Sequence, residues 1–312
     1  MKKYLFSLLL AFNSFIYAQD TLEFSDLYGN YLGQIPPEDT PVVFARDIVS
    51  TDLLEHSAPT FSPDGNEVFW WLNRPPSSEN EKWNAWGMTM QRIDDRWTVP
   101  EITRLFIGEP VFSTDGKRLY FGSYNKADGP CFVEKQGNSW SDTKNVGLIA
   151  RFPELQFAFM PSVTRNGTLY FLGIAEGIGV RYNYAIYRTK LINGEYTQPE
   201  LLPRSINLPP FQNWTPFIAP DESYLIFSSD RSGQFGEGDL YISFHDLNAD
   251  TWTEPINMEE PINTEAQERL PGISHDGKYL FFTRWTPDHN QDVFWVSSKI
   301  IDRLKEKSNR QK

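Results

Sequence analysis

The chain has 312 residues, of which 40% are hydrophobic and 22% charged, and this composition is typical of a globular protein with a sizeable core. Its net charge of −12 makes nucleic acid and anionic lipid poor partners, so we expect neither. Cys131 is the only cysteine, which excludes an intrachain disulfide and a cysteine-based metal site. Aromatic residues make up 15% of the chain and favour strands over helices.

The first 18 residues have the pattern of a secretory signal peptide. Lys2 and Lys3 form a basic start, residues 4–17 are mostly apolar, and Ala18 is a small residue suited to cleavage. The apolar run is short for a membrane span and no other stretch is longer, so we expect no membrane span after cleavage. Cleavage removes two lysines and no acid, which moves the net charge from −12 to −14. We therefore predict an exported protein, periplasmic or secreted, with an N-terminal leader at residues 19–40.

One sequence motif recurs five times along the chain. The copies are PTFSPDGNEVFWW, PVFSTDGKRLYFGS, PSVTRNGTLYFLG, PFIAPDESYLIFSS and PGISHDGKYLFFTR, which begin at Pro59, Pro110, Pro161, Pro216 and Pro271. The turn positions, at intervals of 51, 51, 55 and 55 residues, are Asp64, Asp115, Asn166, Asp221 and Asp276. A polar turn between two apolar runs is typical of a β-hairpin. Because the turn residue recurs in every copy, we interpret it as structural and not catalytic.

Two further alternating runs follow the hairpin in four of the five units. The fourth run begins with an aromatic residue that we expect to pack between units: Trp97, Trp140, Tyr196 and Trp252. Four strands per unit predict an all-β β-propeller with five four-stranded blades, over units near residues 59–109, 110–160, 161–215, 216–270 and 271–300. The fifth unit lacks a fourth run, and we expect a strand within residues 41–49 to supply it and close the ring. A sixth blade would have to lie in residues 19–58, which is a short stretch for one.

The last twelve residues, 301–312, form a basic tail interrupted by Asp302 and Glu306. We expect a short helix that is frayed and exposed to solvent. Inside the strands, by contrast, we expect Trp70, Trp71 and Trp295 to belong to the core, because aromatic residues in alternating strands are normally buried.

The repeats resemble those of TolB-like propellers, also called WD-like repeat propellers. The resemblance rests on the motif P-x-F-S-x-D-G-x-x-L-Y-F and on SSDRSGQFGEGDLYIS, and it covers roughly residues 41–300. It implies a propeller of the Gram-negative periplasm or exterior, often a binding platform. TolB itself has a further N-terminal domain and six repeats, so the resemblance implies the architecture and not a role in the Tol system.

The loops that differ between units lie on the face opposite the Asp-Gly turns, around the mouth of the predicted channel. The candidate ligand-binding residues there are Trp83, Trp86, Tyr182, Trp214, Arg231, Asp239, Arg269, Arg284 and Trp285. Aromatic rings stack on sugars, and arginine holds a carboxylate in a two-pronged contact. We predict a monomeric binding module for a glycan or an envelope protein. A scaffold that binds partners through its blade sides, or loops that pack only on each other, remain as alternatives.

A carbohydrate-active enzyme, either a polysaccharide lyase or a glycoside hydrolase, is the other alternative. Its candidate catalytic residues are His56, His289, Glu109 and Glu268, with Asp239 as a further carboxylate for a paired-acid mechanism. The histidines and glutamates could hold a divalent metal, but no ligand spacing supports this, so we expect no metal and no cofactor. Fingerprints for a serine nucleophile elbow, a P-loop or a dinucleotide are missing from the sequence.

Overall fold

The computed structural model describes residues 27–76, 84–106, 108–123, 129–155, 157–174, 184–231, 235–236, 238–286 and 290–310. Strands make up 47% of the protein and helices 8%, which confirms the predicted all-β class.

The strands follow the sequence repeats. Strand β1 (Val42–Val43) precedes the first unit. Unit one comprises β2 (Leu54–Glu55), β3 (Thr60–Phe61), β4 (Glu67–Arg74), β5 (Asn84–Ile93), β6 (Arg96–Trp97) and β7 (Glu101–Thr103). Unit two comprises β8 (Val111–Phe112), β9 (Arg118–Gly122), β10 (Pro130–Gln136), β11 (Ser139–Trp140) and β12 (Lys144–Asn145), followed by the short helix α1 (Leu148–Arg151). Unit three comprises β13 (Ala158–Val163), β14 (Leu169–Ile174), β15 (Tyr184–Thr189), β16 (Leu191–Ile192), β17 (Glu195–Tyr196) and β18 (Glu200–Leu201). Unit four comprises β19 (Asn213–Ile218), β20 (Tyr224–Ser229), β21 (Asp239–Asp246), β22 (Thr251–Trp252) and β23 (Ile256–Asn257). Unit five comprises β24 (Glu268–Ile273), β25 (Tyr279–Trp285) and β26 (Gln291–Ser297), and helix α2 (Lys299–Arg310) ends the described chain.

Antiparallel pairing joins consecutive strands within each unit. The fourth strand of a unit is split: in unit one, for example, β6 and β7 both pair with β5, on either side of Pro100. Trp70, Trp71 and Trp295 are fully buried, as predicted. Trp140 lies 6.1 Å from Phe69 of the preceding unit, so it packs between units as expected.

In the recurring turn, the side chain of the turn residue makes hydrogen bonds within the turn itself. Oδ1 of Asp64 accepts the Ser62 hydroxyl at 2.5 Å and the Asn66 N–H at 3.0 Å, and Gly65 has a φ of 69°. The turn after Asp221 keeps the same form without glycine, because Glu222 occupies a φ of 60°. A left-handed conformation costs such a residue about 1–2 kcal/mol.

Strand β1 supplies a fourth strand to unit five, as predicted from residues 41–49. Val42 lies opposite Trp295 and Val43 opposite Phe294 in an antiparallel pair. A parallel bridge between Leu54 and Gln291 then joins units five and one into one ten-stranded sheet.

The connection after β1 repeats the one after unit four. The Asn263 side chain accepts the N–H of Leu240 and donates to its carbonyl, both at 2.9 Å. Ser50 makes the corresponding pair of contacts with Val293, at 3.0 and 3.2 Å. Residues 42–55 therefore stand in the same relation to unit five as β23 and its connection stand to unit four.

Both ends of the described chain pack on the units. Leu32 is fully buried in the core shared by units one and five, and the Tyr31 hydroxyl donates to Asp276 at 2.6 Å. The expected frayed, solvent-exposed C-terminal helix is wrong: α2 buries Ile301 and Leu304 in the core of units four and five. Apolar residues at helical spacing give it one buried face, which outweighs the charge of the other face.

Most outer strands begin directly after a proline. A proline immediately precedes the outer strand in four of the units: Pro41, Pro100, Pro199 and Pro255. Proline lacks the N–H that pairing with another strand would use at that position.

Candidate functional site

The prolines that open the five repeat motifs, Pro59, Pro110, Pro161, Pro216 and Pro271, line one common cavity. Its volume is about 80 Å³, whereas small-molecule pockets typically measure about 300–1,000 Å³. The cavity is therefore too small for a sugar, and a larger ligand would have to lie across its end.

Backbone bulges bring the first strands around this cavity. The register of β13, β19 and β24 shifts just before the proline in each case. At the shift Met160, Thr215 and Leu270 adopt φ values of 50°, 50° and 54°. A bulge bends its strand and redirects the neighbouring side chains, which is common next to functional sites.

We call the end of the cavity opposite the Asp-Gly turns the channel mouth. We assign to it one residue from each unit, within three positions before the cavity-lining proline: His56, Glu109, Phe159, Trp214 and Arg269. Glu109 lines the cavity itself, and His56, Trp214 and Arg269 each directly precede a residue that lines it.

A side-chain hydrogen bond near the channel mouth joins units one and two. The Nδ1 atom of His56 lies 2.9 Å from Oε1 of Glu109. Glu109 is only 9% exposed, and within the described ranges its Oε2 atom is buried without a hydrogen-bond partner. A proton on Nδ1 satisfies the contact and leaves Nε2 of the imidazole as an acceptor.

A second pair joins units four and five. The Arg269 guanidinium lies 4.7 Å from the centre of the Trp214 ring. Its Nε atom is buried and has no hydrogen-bond partner among the described residues. Burial lowers the pKa of Arg269 below its ordinary value, because desolvation disfavours the charged form. The nearby Asp230 carboxylate accepts the N–H of Gln212 at 2.7 Å.

Arg231, predicted as a ligand-binding residue, makes its hydrogen bonds inside the protein. It is 6% exposed and donates to the Ile206 carbonyl at 2.5 Å and to Oδ1 of Asn213 at 3.2 Å. Asp239, another predicted ligand-binding residue, is fully buried and accepts the N–H of Phe235 at 2.7 Å. These two side chains hold the loops of unit four in place.

Arg284 and Glu268 form a buried ion pair in unit five. Nε of Arg284 donates to Oε1 of Glu268 at 2.7 Å, and a second nitrogen donates to the Ile262 carbonyl at 2.8 Å. Glu268 is fully buried and also accepts the Thr264 hydroxyl at 2.7 Å. Desolvation raises the pKa of Glu268, although its hydrogen bonds and Arg284 act in the opposite direction.

The remaining predicted residues are spread more widely. Trp86 is partly buried and packs against the core of units one and five. Trp285 is partly buried at the end of β25, where its backbone N–H donates to the Gln267 carbonyl at 3.1 Å. Trp83, Tyr182 and His289 lie outside the described residues.

Glu55 is a buried residue that the sequence analysis missed. Its Oε1 atom accepts the N–H and hydroxyl of Thr51, as Glu268 accepts those of Thr264. The shared spacing Thr-x-x-x-Glu before strand one of units one and five was a usable signal. Desolvation raises the pKa of Glu55 well above its ordinary value, and the charge of Asp292 raises it further.

Replacing Glu55 with Gln is expected to raise the unfolding free energy relative to the native protein by an amount that grows as pH rises. The folded protein holds a proton on Glu55 at pH values where the unfolded chain has lost it, so the native protein loses stability above pH 4.5. Glutamine does not ionise, so the difference in unfolding free energy should shift towards the variant by up to about 1.4 kcal/mol per pH unit. Urea denaturation at pH 5 and pH 8 measures this shift, with the exposed Glu254→Gln as control. An equal difference at both pH values would contradict the expectation.

The described residues contain no group of three or more His, Cys, Asp or Glu side chains placed to hold a metal ion. Across the same ranges, no helix is long and apolar enough to cross a membrane.

An all-β chain whose sequence repeats surround one cavity defines a propeller-like protein. A putative TolB from Agrobacterium tumefaciens is similar, with a TM-score of 0.46 and 15% identity over 74% of this chain and 70% of that chain. TolB from Acinetobacter baumannii has a TM-score of 0.43 and 15% identity over 76% of this chain and 53% of that chain. Endo-arabinase from Bacteroides thetaiotaomicron VPI-5482 has a TM-score of 0.47 and 14% identity, over 83% of this chain and 96% of that chain. TolB structures are thus among those similar to this chain, as the repeat motif predicted.

No protein-family model matches the sequence. No curated protein matches it either.

Proposed function

We propose that this chain is an exported five-bladed propeller, periplasmic or secreted, that binds a glycan at the channel mouth. The observation that carries the proposal is the pair of buried polar atoms there, Nε of Arg269 and Oε2 of Glu109, without hydrogen-bond partners among the described residues. Each such atom costs about 1–3 kcal/mol when it is left unsatisfied. A ligand with donors and acceptors, lying across the mouth, would satisfy both.

The five-bladed ring is supported by the common cavity and by the pairing of β1 with β26. In a closed propeller every blade places equivalent residues around the central axis. Here each unit places one proline in the wall of the cavity. Strand β1 takes the place of the missing fourth strand, so the first and last units hold each other.

The chemistry of the mouth favours a glycan over a protein partner. A stable protein interface buries about 800 Å² on each partner and has an apolar centre. Apart from Phe235, the exposed large apolar side chains of the described residues lie on outer strands, on turns of the opposite face and in the N-terminal segment. An aromatic ring can stack on the apolar face of a sugar, while the charged donor and the carboxylate beside it can hydrogen-bond to its hydroxyl groups.

A glycan array probed with the purified protein tests the proposal. We expect binding to one group of glycans, and affinity about tenfold lower in Trp214→Ala, since aromatic residues at the centre of a site contribute strongly. Trp252→Ala is the matched control, because this half-buried tryptophan lies at the opposite end of its unit. Equal affinity of Trp214→Ala and the native protein would exclude the mouth. An envelope-protein partner, with no glycan bound, would favour the scaffold alternative.

The His56–Glu109 pair supports a carbohydrate-active enzyme as the second candidate. A carboxylate on Nδ1 orients an imidazole and leaves Nε2 available as a general base. Incubation of the bound glycans with the native protein and with His56→Ala, followed by product analysis, decides between binding alone and turnover.

A further inference from the structure

We propose that the ligand bound at the channel mouth is an acidic sugar whose carboxylate pairs with Arg269. The inference rests on the proposed glycan-binding function and adds the chemical class of the ligand. It is carried by the stacked position of the Arg269 guanidinium and by the state of its donors.

Stacking on Trp214 fixes the plane of the guanidinium. The distance of 4.7 Å between Cζ of Arg269 and the ring centre places the cation over the ring face. A guanidinium presents its N–H donors in its own plane, as a fork that matches the two oxygens of a carboxylate. The ring therefore holds the guanidinium in position, and because Nε is buried a carboxylate would approach the terminal nitrogens.

Two other arginines on this side of the protein show the alternative arrangement. Arg231 lies 5.1 Å from the ring centres of Phe227 and Tyr241, and Arg284 lies 4.6 Å from that of Phe294. Both direct their nitrogens to carbonyl or carboxylate oxygens within the protein.

Arg269 differs from these two arginines in its donors. No hydrogen bond or ion pair engages its guanidinium within the described part of the chain, and its Nε atom is buried. Leaving a cation poorly solvated and without a direct ion pair is costly, so a carboxylate that arrives with a ligand would compensate the charge. Asp230 is near enough to act electrostatically on Arg269, but its Oδ1 atom is engaged by the N–H of Gln212.

Glu109, also assigned to the mouth, has an oxygen that could accept a hydroxyl group. Glu109 keeps one oxygen on His56 and leaves Oε2 as an acceptor. A molecule with a carboxylate at one position and hydroxyl donors at others satisfies Arg269 and Glu109 together, and an acidic sugar has this composition.

An NMR titration that follows the Nε–H signals of the arginines in the ¹⁵N-labelled protein tests the inference. Arg269→Lys assigns the Arg269 signal by removing it, and glucuronate is titrated against glucose at constant ionic strength. We expect the Arg269 signal to shift with glucuronate, to saturate in the millimolar range and to stay fixed with glucose. The signals of Arg231 and Arg284 are internal controls and should not move. A fixed Arg269 signal, or three signals that move together, would overturn the inference.

Failure of the inference and failure of the proposed function give different results. Binding of neutral glycans alone, weakened by Trp214→Ala but accompanied by no shift at Arg269, would overturn the acidic-sugar inference and leave the mouth as a glycan site. An Arg269 shift with glucuronate, together with an empty glycan array, would support the carboxylate site and overturn the broader glycan function. Arg269→Lys keeps the charge but loses the fork, so we expect it to weaken binding of an acidic glycan at least tenfold.

Discussion

Replacing Phe44 with Ala is expected to lower the free energy of unfolding by about 3–5 kcal/mol. Phe44 follows β1 directly and is fully buried among aromatic rings from both ends of the repeat array. Its ring centre lies 6.2 Å from that of Phe61 in unit one and 5.1 Å from those of Phe281 and Trp295 in unit five. Truncation would leave a cavity at the junction that closes the proposed ring. Urea denaturation followed by tryptophan fluorescence measures the loss.

Val42→Ala is the matched control, two positions earlier in the same segment. Val42 is 44% exposed, so its truncation should change the unfolding free energy by no more than about 0.5 kcal/mol. If the two variants lost equal stability, β1 and its flanking residues would not close the array.

Replacing Glu268 with Ala is expected to cost about 3–5 kcal/mol, because it leaves the cation of Arg284 buried without its carboxylate. It also leaves the Thr264 hydroxyl without its acceptor. The unfolding free energy from urea denaturation at pH 7 gives the effect. We assign Glu268 to the structure of unit five on these contacts.

Glu259→Ala provides the comparison at the surface. Glu259 also pairs with a cation, Lys307, at 2.6 Å, but both side chains are about half exposed. Exposed pairs contribute about 0–1 kcal/mol, so this variant should remain close to the native protein. Similar losses in the two variants would mean that burial does not control the strength of the Glu268 pair.

Much of the fold could be predicted from local patterns. The hairpins followed from polar turn residues between apolar runs, and the period of the repeats gave the number of units. The strand within residues 41–49 followed from a count, since the fifth unit lacked a fourth run. The C-terminal helix could not be judged from its charge, because Ile301 and Leu304 find their partners in strands that are distant in sequence.

The roles of the arginines were beyond the reach of the sequence. Arg231, Arg269 and Arg284 all lie next to variable segments at one end of the units, and all were equal candidates for ligand binding. The partners that distinguish them come from other parts of the chain: Ile206 lies 25 residues before Arg231, and Trp214 lies 55 residues before Arg269.

The sequence by itself determined the strands, the turns and the repeat, because each depends on residues within a few positions of one another. It also determined that Asp64 belongs to a hairpin turn, since the same position is Asp in four repeats and Asn in the fifth. Only the tertiary structure decided which polar side chains are engaged internally and which have donors or acceptors left for a ligand. That difference arises where strands from separate units meet at the cavity, because hydrogen bonds and burial there depend on neighbours in space and not on neighbours in the chain.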